Sequence, residues 1–250
     1  MDTTKKFDGY ADDYTVGRPG YAAELIECMY GIYGMAKESV IADIGSGTGK
    51  FAKHLMDKGS TVYCVEPNDD MRRVAEEELG GYAGFCSVNG GAENTTLDDN
   101  SVDFITTAQA FHWFDVQKFH NECKRILKPD GKVFLIWNVR DMDEALNKEL
   151  YQIYRKFCPD FKGFSGGIEK DDQRIRDFFD DKYEYVAFDN PLYLDRERFI
   201  ARSLSGSYSL KDGDKDYTKY INAIEVTFDR YVNKGIVSIA NRSVAYIGSV

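Results

Sequence analysis

The chain has 250 residues, of which 43% are hydrophobic and 30% charged, so it is long enough for one substantial α/β domain and short for two independent cores. Its 32 basic and 42 acidic residues give a formal net charge of −10, and no basic run of five residues occurs. Because neutralising phosphates needs clustered lysine and arginine, this composition argues against RNA or DNA as a partner.

The cysteines and the apolar stretches indicate the compartment. No pair of cysteines has C-x-x-C spacing, which favours buried thiols in a reducing compartment and argues against a metal site. The apolar stretch Leu25–Ala36 contains Glu27 and is too short to span a bilayer. We therefore expect a cytoplasmic protein with no membrane segment. The cysteines are Cys28, Cys64, Cys86, Cys123 and Cys158.

The chain begins with an aromatic, Asp- and Gly-rich segment and then a predicted helix. Residues 7–20 read F-D-G-Y-A-D-D-Y-T-V-G-R-P-G, a pattern typical of a loop or broken helix. Ala22–Tyr33 predicts a helix, because its apolar residues recur on one face.

The next stretch, Val40–Lys50, is the one around which the chain is organised. It reads V-I-A-D-I-G-S-G-T-G-K and predicts a buried parallel strand, a glycine turn and the start of a helix. Glycines let the backbone turn tightly and approach a ligand, and the helix N-terminus offers free N–H groups. This unit is typical of the nucleotide-binding half of a doubly wound α/β sheet.

The residues that the glycine motif lacks indicate which nucleotide it suits. A dinucleotide fingerprint needs glycine where Lys50 stands, and a phosphate loop needs other residues than Ile44 and Phe51. The turn therefore suits a ligand with an adenosine and no phosphates. The second predicted strand, Thr61–Val65, ends in Glu66, about 20 residues beyond the first glycine, where an acid accepts hydrogen bonds from ribose hydroxyls.

Further elements complete the predicted sheet. Asn68 is a good N-cap for a helix in which Met71 packs near the adenine or fills the core. Gln109–Phe114 follows the fourth strand, at the edge where ligands bind in open α/β sheets, and Asp115 caps the next helix. The remaining predicted strands are Phe85–Val88, Ser101–Ala108, Lys132–Trp137, Tyr183–Tyr193 and Ile236–Ile247. The remaining helices are Asp143–Phe157, Arg196–Leu204 and Asp216–Tyr231.

Three motifs together resemble a known family. D-I-G-S-G-T-G-K, V-E-P-N-D-D-M and A-Q-A-F-H-W-F are similar to motifs of class I S-adenosylmethionine-dependent methyltransferases. The subgroup resembled is the small-molecule "type 11" kind, which includes trans-aconitate methyltransferase-like and toxoflavin-pathway N-methyltransferase-like enzymes. The resemblance is densest from about residue 7 to 140. It is specific for the cofactor and does not identify the methyl acceptor.

The resemblance implies a doubly wound, Rossmann-like α/β fold. Its seven-stranded sheet has the order 3-2-1-4-5-7-6, with the last strand antiparallel, helices on both faces and a helical lid. One methyltransferase domain, 1–250, would contain an N-terminal flap and helix (1–35), a cofactor-binding core (36–140), a lid and acceptor region (141–235) with a strand near 183–193, and a final strand (236–250).

The resemblance also implies which residues bind S-adenosylmethionine. Tyr14 would pack on the cofactor from the flap, Arg18 would bind a carboxylate or the acceptor, and Ala92–Glu93 would lie beside the adenine. The expected cofactor-binding residues are Tyr14, Arg18, Asp43, Gly45, Ser46, Gly47, Thr48, Gly49, Glu66, Pro67, Met71, Ala92, Glu93, Gln109, Ala110, His112 and Trp113.

Methyl transfer from a sulfonium needs little acid–base machinery. The leaving group is already activated, so the protein mainly orients the reactants and excludes water. His112 is the candidate general base if the acceptor must lose a proton, because histidine titrates nearest neutrality; a packed structural role is the alternative. Tyr208, in a connection flanked by Ser and Gly, is the candidate wall of the acceptor pocket.

Two other classes of function compete with this one. A non-catalytic S-adenosylmethionine-binding protein or regulatory subunit would keep the same turn, whereas Lys50 argues against a nicotinamide dehydrogenase. The expected partner is a small-molecule methyl acceptor, without nucleic acid, membrane or metal. The sequence leaves open the acceptor, the methylated atom (O, N, S or C) and the oligomeric state.

Overall fold

A seven-stranded sheet organises the fold, and the computed structural model describes residues 20–250 of the chain. The strands are β1 Val40–Ile44, β2 Thr61–Val65, β3 Phe85–Val88, β4 Val102–Ala108, β5 Leu127–Arg140, β6 Tyr183–Asp189, β7 Leu192–Leu194, β8 Val237–Ile239 and β9 Asn241–Gly248. The sheet order is β3-β2-β1-β4-β5-β9-β6. β1 to β5 pair in parallel, and β9 lies antiparallel between β5 and β6. The predicted strand order and the antiparallel last strand are therefore confirmed.

Helices follow most strands, and their starts agree with the capping signals. The Asn68 side chain accepts a hydrogen bond from the backbone N–H of Met71, and the Asp115 side chain accepts one from that of Lys118, so both predicted N-caps are confirmed. The helices are α1 Ala23–Gly31, α2 Lys50–Asp57, α3 Asp69–Leu79, α4 Val116–Ile126, α5 Ala145–Phe157, α6 Gln173–Phe178, α7 Arg196–Leu204 and α8 Tyr217–Tyr231.

Alternate residues of the strands fill two hydrophobic cores, one on each face of the sheet. Phe134 packs in the core that includes α1 and α2, and its neighbour Leu135 packs in the core that includes α4 and α6. Both side chains are fully buried. Burying a side chain of this size contributes about 2 kcal/mol. The predicted helices on both faces follow from this double burial.

A third hydrophobic cluster lies in the second half of the chain. It brings together α5, α7, α8 and the short strands β7 and β8. Tyr154, Phe199 and Tyr220 are almost fully buried within it. This cluster gives the second half its own packing.

Two predicted strands are each broken. The patterns of Tyr183–Tyr193 and Ile236–Ile247 predict two single strands. In the structure, the end of the first and the start of the second form a separate two-stranded ribbon, in which β7 pairs with β8. Pro191 has no N–H to donate to a ladder, so it ends the first strand. The carbonyl of Ala240 accepts instead from the backbone N–H of Asp141, 3.2 Å away, outside the sheet.

The fifth strand is longer than predicted at both ends. The sequence predicts Lys132–Trp137 after a turn, whereas β5 starts at Leu127, with an irregularity in its pairing with β4. Ala108, the last residue of β4, pairs with Ile136. The end of β5 therefore extends beyond β4 at the carboxyl edge of the sheet.

Within residues 20–250, no helix is long and apolar enough to cross a membrane. In the same part of the chain, no group of three or more His, Cys, Asp or Glu side chains is placed to hold a metal ion.

Substituting glycine at the start of α2 tests how tightly the turn is packed. Gly49 has φ +77°, and a Cβ there would lie 2.2 Å from Leu79 Cδ1. Gly34 has φ +81°, with no heavy atom within 4 Å of an added Cβ, so it is the matched control. We expect Gly34→Ala to lower the free energy of unfolding by about 1 kcal/mol, from backbone strain alone. Gly49→Ala should lower it by about 1–3 kcal/mol more, because the core is overpacked. Urea denaturation measures both losses, and equal losses would contradict the close packing.

Candidate active site

The turn between β1 and α2 leaves space beside Gly47. Gly45 and Gly47 have φ of +69° and +57°. A Cβ on Gly47 would meet no heavy atom within 4 Å among the described residues, whereas a Cβ on Gly45 would lie 2.7 Å from Ala110 Cβ and 3.1 Å from Phe114 Cζ. Gly47 thus borders open space, and Gly45 brings the turn against the segment that follows β4. The structure places these two sequence motifs together.

Glu66, directly after β2, holds the turn from one side. Its Oε2 accepts a hydrogen bond from the Gly47 N–H at 3.0 Å, and its Oε1 accepts one from the Asn68 N–H at 2.9 Å. Burial raises the pKa of Glu66, and these two amide hydrogen bonds oppose the rise. Each carboxylate oxygen has a second lone pair, so Glu66 can also accept a hydrogen bond from a ribose hydroxyl.

Asp43, at the carboxyl end of β1, is buried beneath the turn. Thr106 Oγ1 donates to Asp43 Oδ1 at 2.7 Å, a contact that no sequence motif marks. Burial raises the pKa of Asp43 to about 7, although the Thr106 hydrogen bond opposes this. Asp43 Oδ2 and Ser46 Oγ are buried and have no hydrogen-bond partner within residues 20–250. Because unpaired buried polar atoms are costly, these two fit a polar ligand at the turn.

The segment after β4 forms a second side of the site. Gln109 has φ +61°, and its N–H donates to the Ile136 carbonyl at 2.9 Å. This left-handed residue leaves Phe111 buried in the core, while His112 is half-buried and Trp113 is 36% exposed. The ring centroids of His112 and Trp113 are 4.9 Å apart. A half-buried imidazole therefore stands at the carboxyl edge of the sheet, and its expected role stays a prediction.

A loop that no sequence motif marks packs on His112. Phe164–Gly167 includes Ser165 with φ +55° and Gly166 with φ +69°. A Cβ on Gly166 would lie 2.3 Å from His112 Cδ2, so the bare backbone of Gly166 packs against the imidazole. Glycine is required there both by the close approach and by the left-handed φ.

Asn138, near the end of β5, connects the surrounding segments. Its Nδ2 donates to the Gly20 carbonyl at 3.1 Å, and its Oδ1 accepts from Ser243 Oγ at 2.6 Å. Its backbone carbonyl accepts from Gln109 Nε2 at 3.3 Å and from Ser165 Oγ at 3.2 Å. Sequence reasoning missed this residue, although its position directly after the predicted fifth strand places it at the ligand-binding edge.

The loop that carries Ala92 and Glu93 is fixed to α4. Glu93 Oε1 accepts from the Asp115 N–H at 2.9 Å, and Ala92 is buried. Glu122 Oε1, on α4, accepts from both the N–H and the Oγ1 of Thr95, at 2.7 and 2.6 Å. These contacts hold the loop in place, and one Glu93 oxygen is used by the Asp115 amide.

The other expected cofactor residues differ in their exposure to solvent. Thr48 and Met71 are buried, and Pro67 is exposed next to Glu66. Tyr14 and Arg18 lie outside the described residues, so their expected roles stay predictions.

Tyr208 lies in the third hydrophobic cluster. Its ring centroid is 4.7 Å from that of Phe161 and 5.3 Å from that of Tyr154. The ring centroids of Phe161 and Phe164 are 5.4 Å apart, and Gly166, two residues beyond Phe164, packs on His112. A chain of contacts thus joins Tyr208 to the edge of the sheet.

Comparison with known proteins shows which proteins this chain resembles. Residues 42–135 match the methyltransferase domain family. An uncharacterised methyltransferase of Mycobacterium tuberculosis is 35% identical over 152 residues, which are 61% of this chain and 60% of that protein. The chain thus spans about 60% of the length of that relative. An uncharacterised methyltransferase-like protein of Schizosaccharomyces pombe is 26% identical over 252 residues, 97% of this chain and 94% of that protein.

Solved structures agree on the fold. The YcgJ protein of Bacillus subtilis superposes with a TM-score of 0.59 at 21% identity, over 92% of this chain and 100% of that one. Phosphoethanolamine N-methyltransferase 2 of Haemonchus contortus, solved with phosphomonomethylethanolamine and S-adenosylhomocysteine, superposes with a TM-score of 0.54 at 15% identity, over 98% of this chain and 57% of that one. Residues 42–135 thus resemble a methyltransferase domain, and the solved structures share its fold.

The residues that match the family model include much of the site just described. The matched residues run from β1 to the middle of β5 and include the glycine turn, Glu66 and His112. The third hydrophobic cluster lies beyond the match. The glycine-turn side of the candidate site is therefore the part that matches the family model.

The buried carboxyl of Asp43 should make the stability of the protein depend on pH. Its pKa is about 7 when folded and near 3.8 when exposed, so between these values the folded state binds a proton that the unfolded state does not. The free energy of unfolding should therefore fall as pH rises from about 4 to 7, and level off above. Asp43→Asn removes this dependence. Relative to that variant, the wild type should lose on the order of 4 kcal/mol across the window. Urea titrations of both proteins measure the difference, and parallel curves would contradict the raised pKa.

Proposed function

We propose that the protein transfers the methyl group of S-adenosylmethionine to a small-molecule acceptor, as in the type 11 small-molecule subgroup. The observation that carries the proposal is the open turn at Gly47 with the Glu66 carboxylate beside it, inside the matched domain. The net charge of −10 supports a small acceptor over a nucleic acid. The free state of all five cysteines supports a cytoplasmic location.

The residues of the turn would hold the cofactor. Glu66 would accept hydrogen bonds from its ribose, and Asp43 and Ser46 would bind other polar groups of the same ligand. When bound, S-adenosylmethionine supplies a methyl group on a sulfonium, which leaves without protonation. The work left to the protein is to orient the acceptor and to exclude water.

His112 would take the proton of an acceptor that must lose one. Its half-buried ring stands at the carboxyl edge, next to Trp113 and beneath Gly166. An acceptor whose attacking atom already has a free electron pair would use His112 only as a wall. In both cases the ring borders the space where the acceptor lies.

We also propose a division of the chain into a core and covering parts. Residues 36–140 would bind the cofactor, 141–235 would form a lid over the acceptor, 236–250 would complete the sheet, and 1–35 would act as flap and helix. The separate packing of the third hydrophobic cluster supports a lid. Gly166 belongs to the proposed lid, and its packing on His112 supports a lid that closes over the acceptor.

Ligand binding tests the cofactor. Calorimetry should detect binding of S-adenosylmethionine and S-adenosylhomocysteine, and none of NAD or ATP. Glu66→Gln should weaken binding of both ligands roughly 10- to 100-fold, because a hydrogen bond to a charged group is worth about 1.5–3 kcal/mol. Glu78→Gln, on the exposed side of α3, is the matched control and should bind as the wild type does. Unchanged affinity in a folded Glu66→Gln protein would contradict the assigned ribose contact.

Turnover tests catalysis against mere binding. With a radiolabelled methyl donor and cell extract, the wild type should form S-adenosylhomocysteine and a labelled small molecule. Formation of neither, in a protein that binds the donor, would favour a regulatory S-adenosylmethionine-binding protein.

Once an acceptor is identified, His112→Gln should lower kcat/KM by about 10²- to 10⁴-fold if the ring takes a proton. The Kd of the cofactor should be almost unchanged. Tyr208→Ala should likewise lower kcat/KM more than cofactor affinity. His120→Gln, on α4 and packed on Phe178, is the control. A parallel loss of cofactor binding in both variants would contradict the proposed acceptor pocket.

A further inference from the structure

Arg140, the last residue of β5, is a cation held in a fixed position. Its guanidinium lies over the Phe164 ring, 4.6 Å from the centroid, and its Nη1 donates to Asn147 Oδ1 at 3.3 Å. Stacking on an aromatic ring and a hydrogen bond at one edge fix the plane of a guanidinium. The side chain is half-buried, so this orientation is built into the protein.

No carboxylate forms an ion pair with Arg140 in the described part of the chain. The adjacent acid, Asp141, is paired with Arg242, which also binds Asp189. A half-buried cation without a counter-ion lowers the stability of the protein unless an anion binds to it. Within residues 20–250, one of the five N–H donors of the Arg140 guanidinium has a protein acceptor, which leaves donors for a planar, two-oxygen anion.

The position of Arg140 relates it to the methyl-transfer site. Three consecutive loop residues connect them: Phe164 lies beneath Arg140, Ser165 bonds the Asn138 carbonyl, and Gly166 packs on His112. Because consecutive Cα atoms are about 3.8 Å apart, Phe164 and Gly166 are separated by less than about 8 Å. The guanidinium and the imidazole therefore pack on two residues of the same short loop.

The negative net charge of the protein makes a local cation important for binding an anion. With a net charge of −10, the surface as a whole repels anions, so an anionic molecule needs a specific positive group to be bound. Arg140 is such a group at the sheet edge, next to the proposed lid.

We propose that Arg140 recognises an anionic group, a carboxylate or a phosphate, on the methyl acceptor. The inference rests on the proposed function and adds the chemical class of its acceptor. The acceptor would carry this group at the Arg140 end and its methylated atom near His112.

Matched acceptor pairs test this assignment. Small carboxylic acids and phosphate monoesters are assayed beside their neutral amides or methyl esters, with S-adenosylhomocysteine formation as the readout. The wild type should favour the anionic member of a pair. Arg140→Gln should raise KM for that member roughly 10- to 100-fold, with the neutral member and the cofactor Kd within about 2-fold. Arg140→Lys should fall between, because lysine keeps the charge and loses the two-pronged geometry. Arg155→Gln, exposed on α5, is the control.

A binding experiment tests the role of Arg140 separately from methyl transfer. Succinate and inorganic phosphate are titrated by calorimetry into wild type and Arg140→Gln, each saturated with S-adenosylhomocysteine. Binding that Arg140→Gln loses supports the assignment even if no compound is methylated, and the stronger of the two anions identifies the group. Equal binding by both proteins, binding of neither anion, or equal KM changes for anionic and neutral acceptors would overturn it.

Discussion

The hydrogen bonds from the Gly47 and Asn68 amides to the Glu66 carboxylate hold the glycine-turn side of the candidate site together. The turn after β1 has no large side chains of its own, so its shape depends on what its backbone binds. Glu66 accepts from that turn and from the N-cap residue of α3, which joins the ends of β1 and β2 to the starts of two helices. Because the carboxylate is mostly buried, these bonds are stronger than they would be in water. The open face of Gly47 follows from this arrangement.

On the other side of the sheet edge, Asn138 has a corresponding role. Its side chain binds the Gly20 carbonyl, and its backbone carbonyl accepts from Gln109 and Ser165. The sheet order places the ends of β2, β1, β4 and β5 side by side, so Glu66 and Asn138 border the site from opposite ends. Between them lie the glycine turn and His112. The parallel strands thus supply the common edge, and two polar side chains fix the loops that carry the chemistry.

The sequence predicted the features whose causes are local. The N-caps at Asn68 and Asp115 and the glycine turn depend on residues a few positions apart, and they were found. The break at Pro191 was missed although proline is a local signal, and the break at Ala240 was missed because a hydrogen bond from the distant Asp141 amide decides where pairing stops. Asn138 binds a carbonyl 118 residues away, and Gly166 packs on a ring from another element. Contacts of that separation leave no local pattern in a single sequence.

A crystal structure of the protein with S-adenosylhomocysteine tests the central claim most directly. The account predicts that the ligand lies over Gly47, with ribose hydroxyls about 3 Å from the Glu66 carboxylate. The hydrogen bond between Glu66 and the Gly47 amide should be kept in the complex. A ligand bound elsewhere, or a ribose that makes no contact with Glu66, would contradict it.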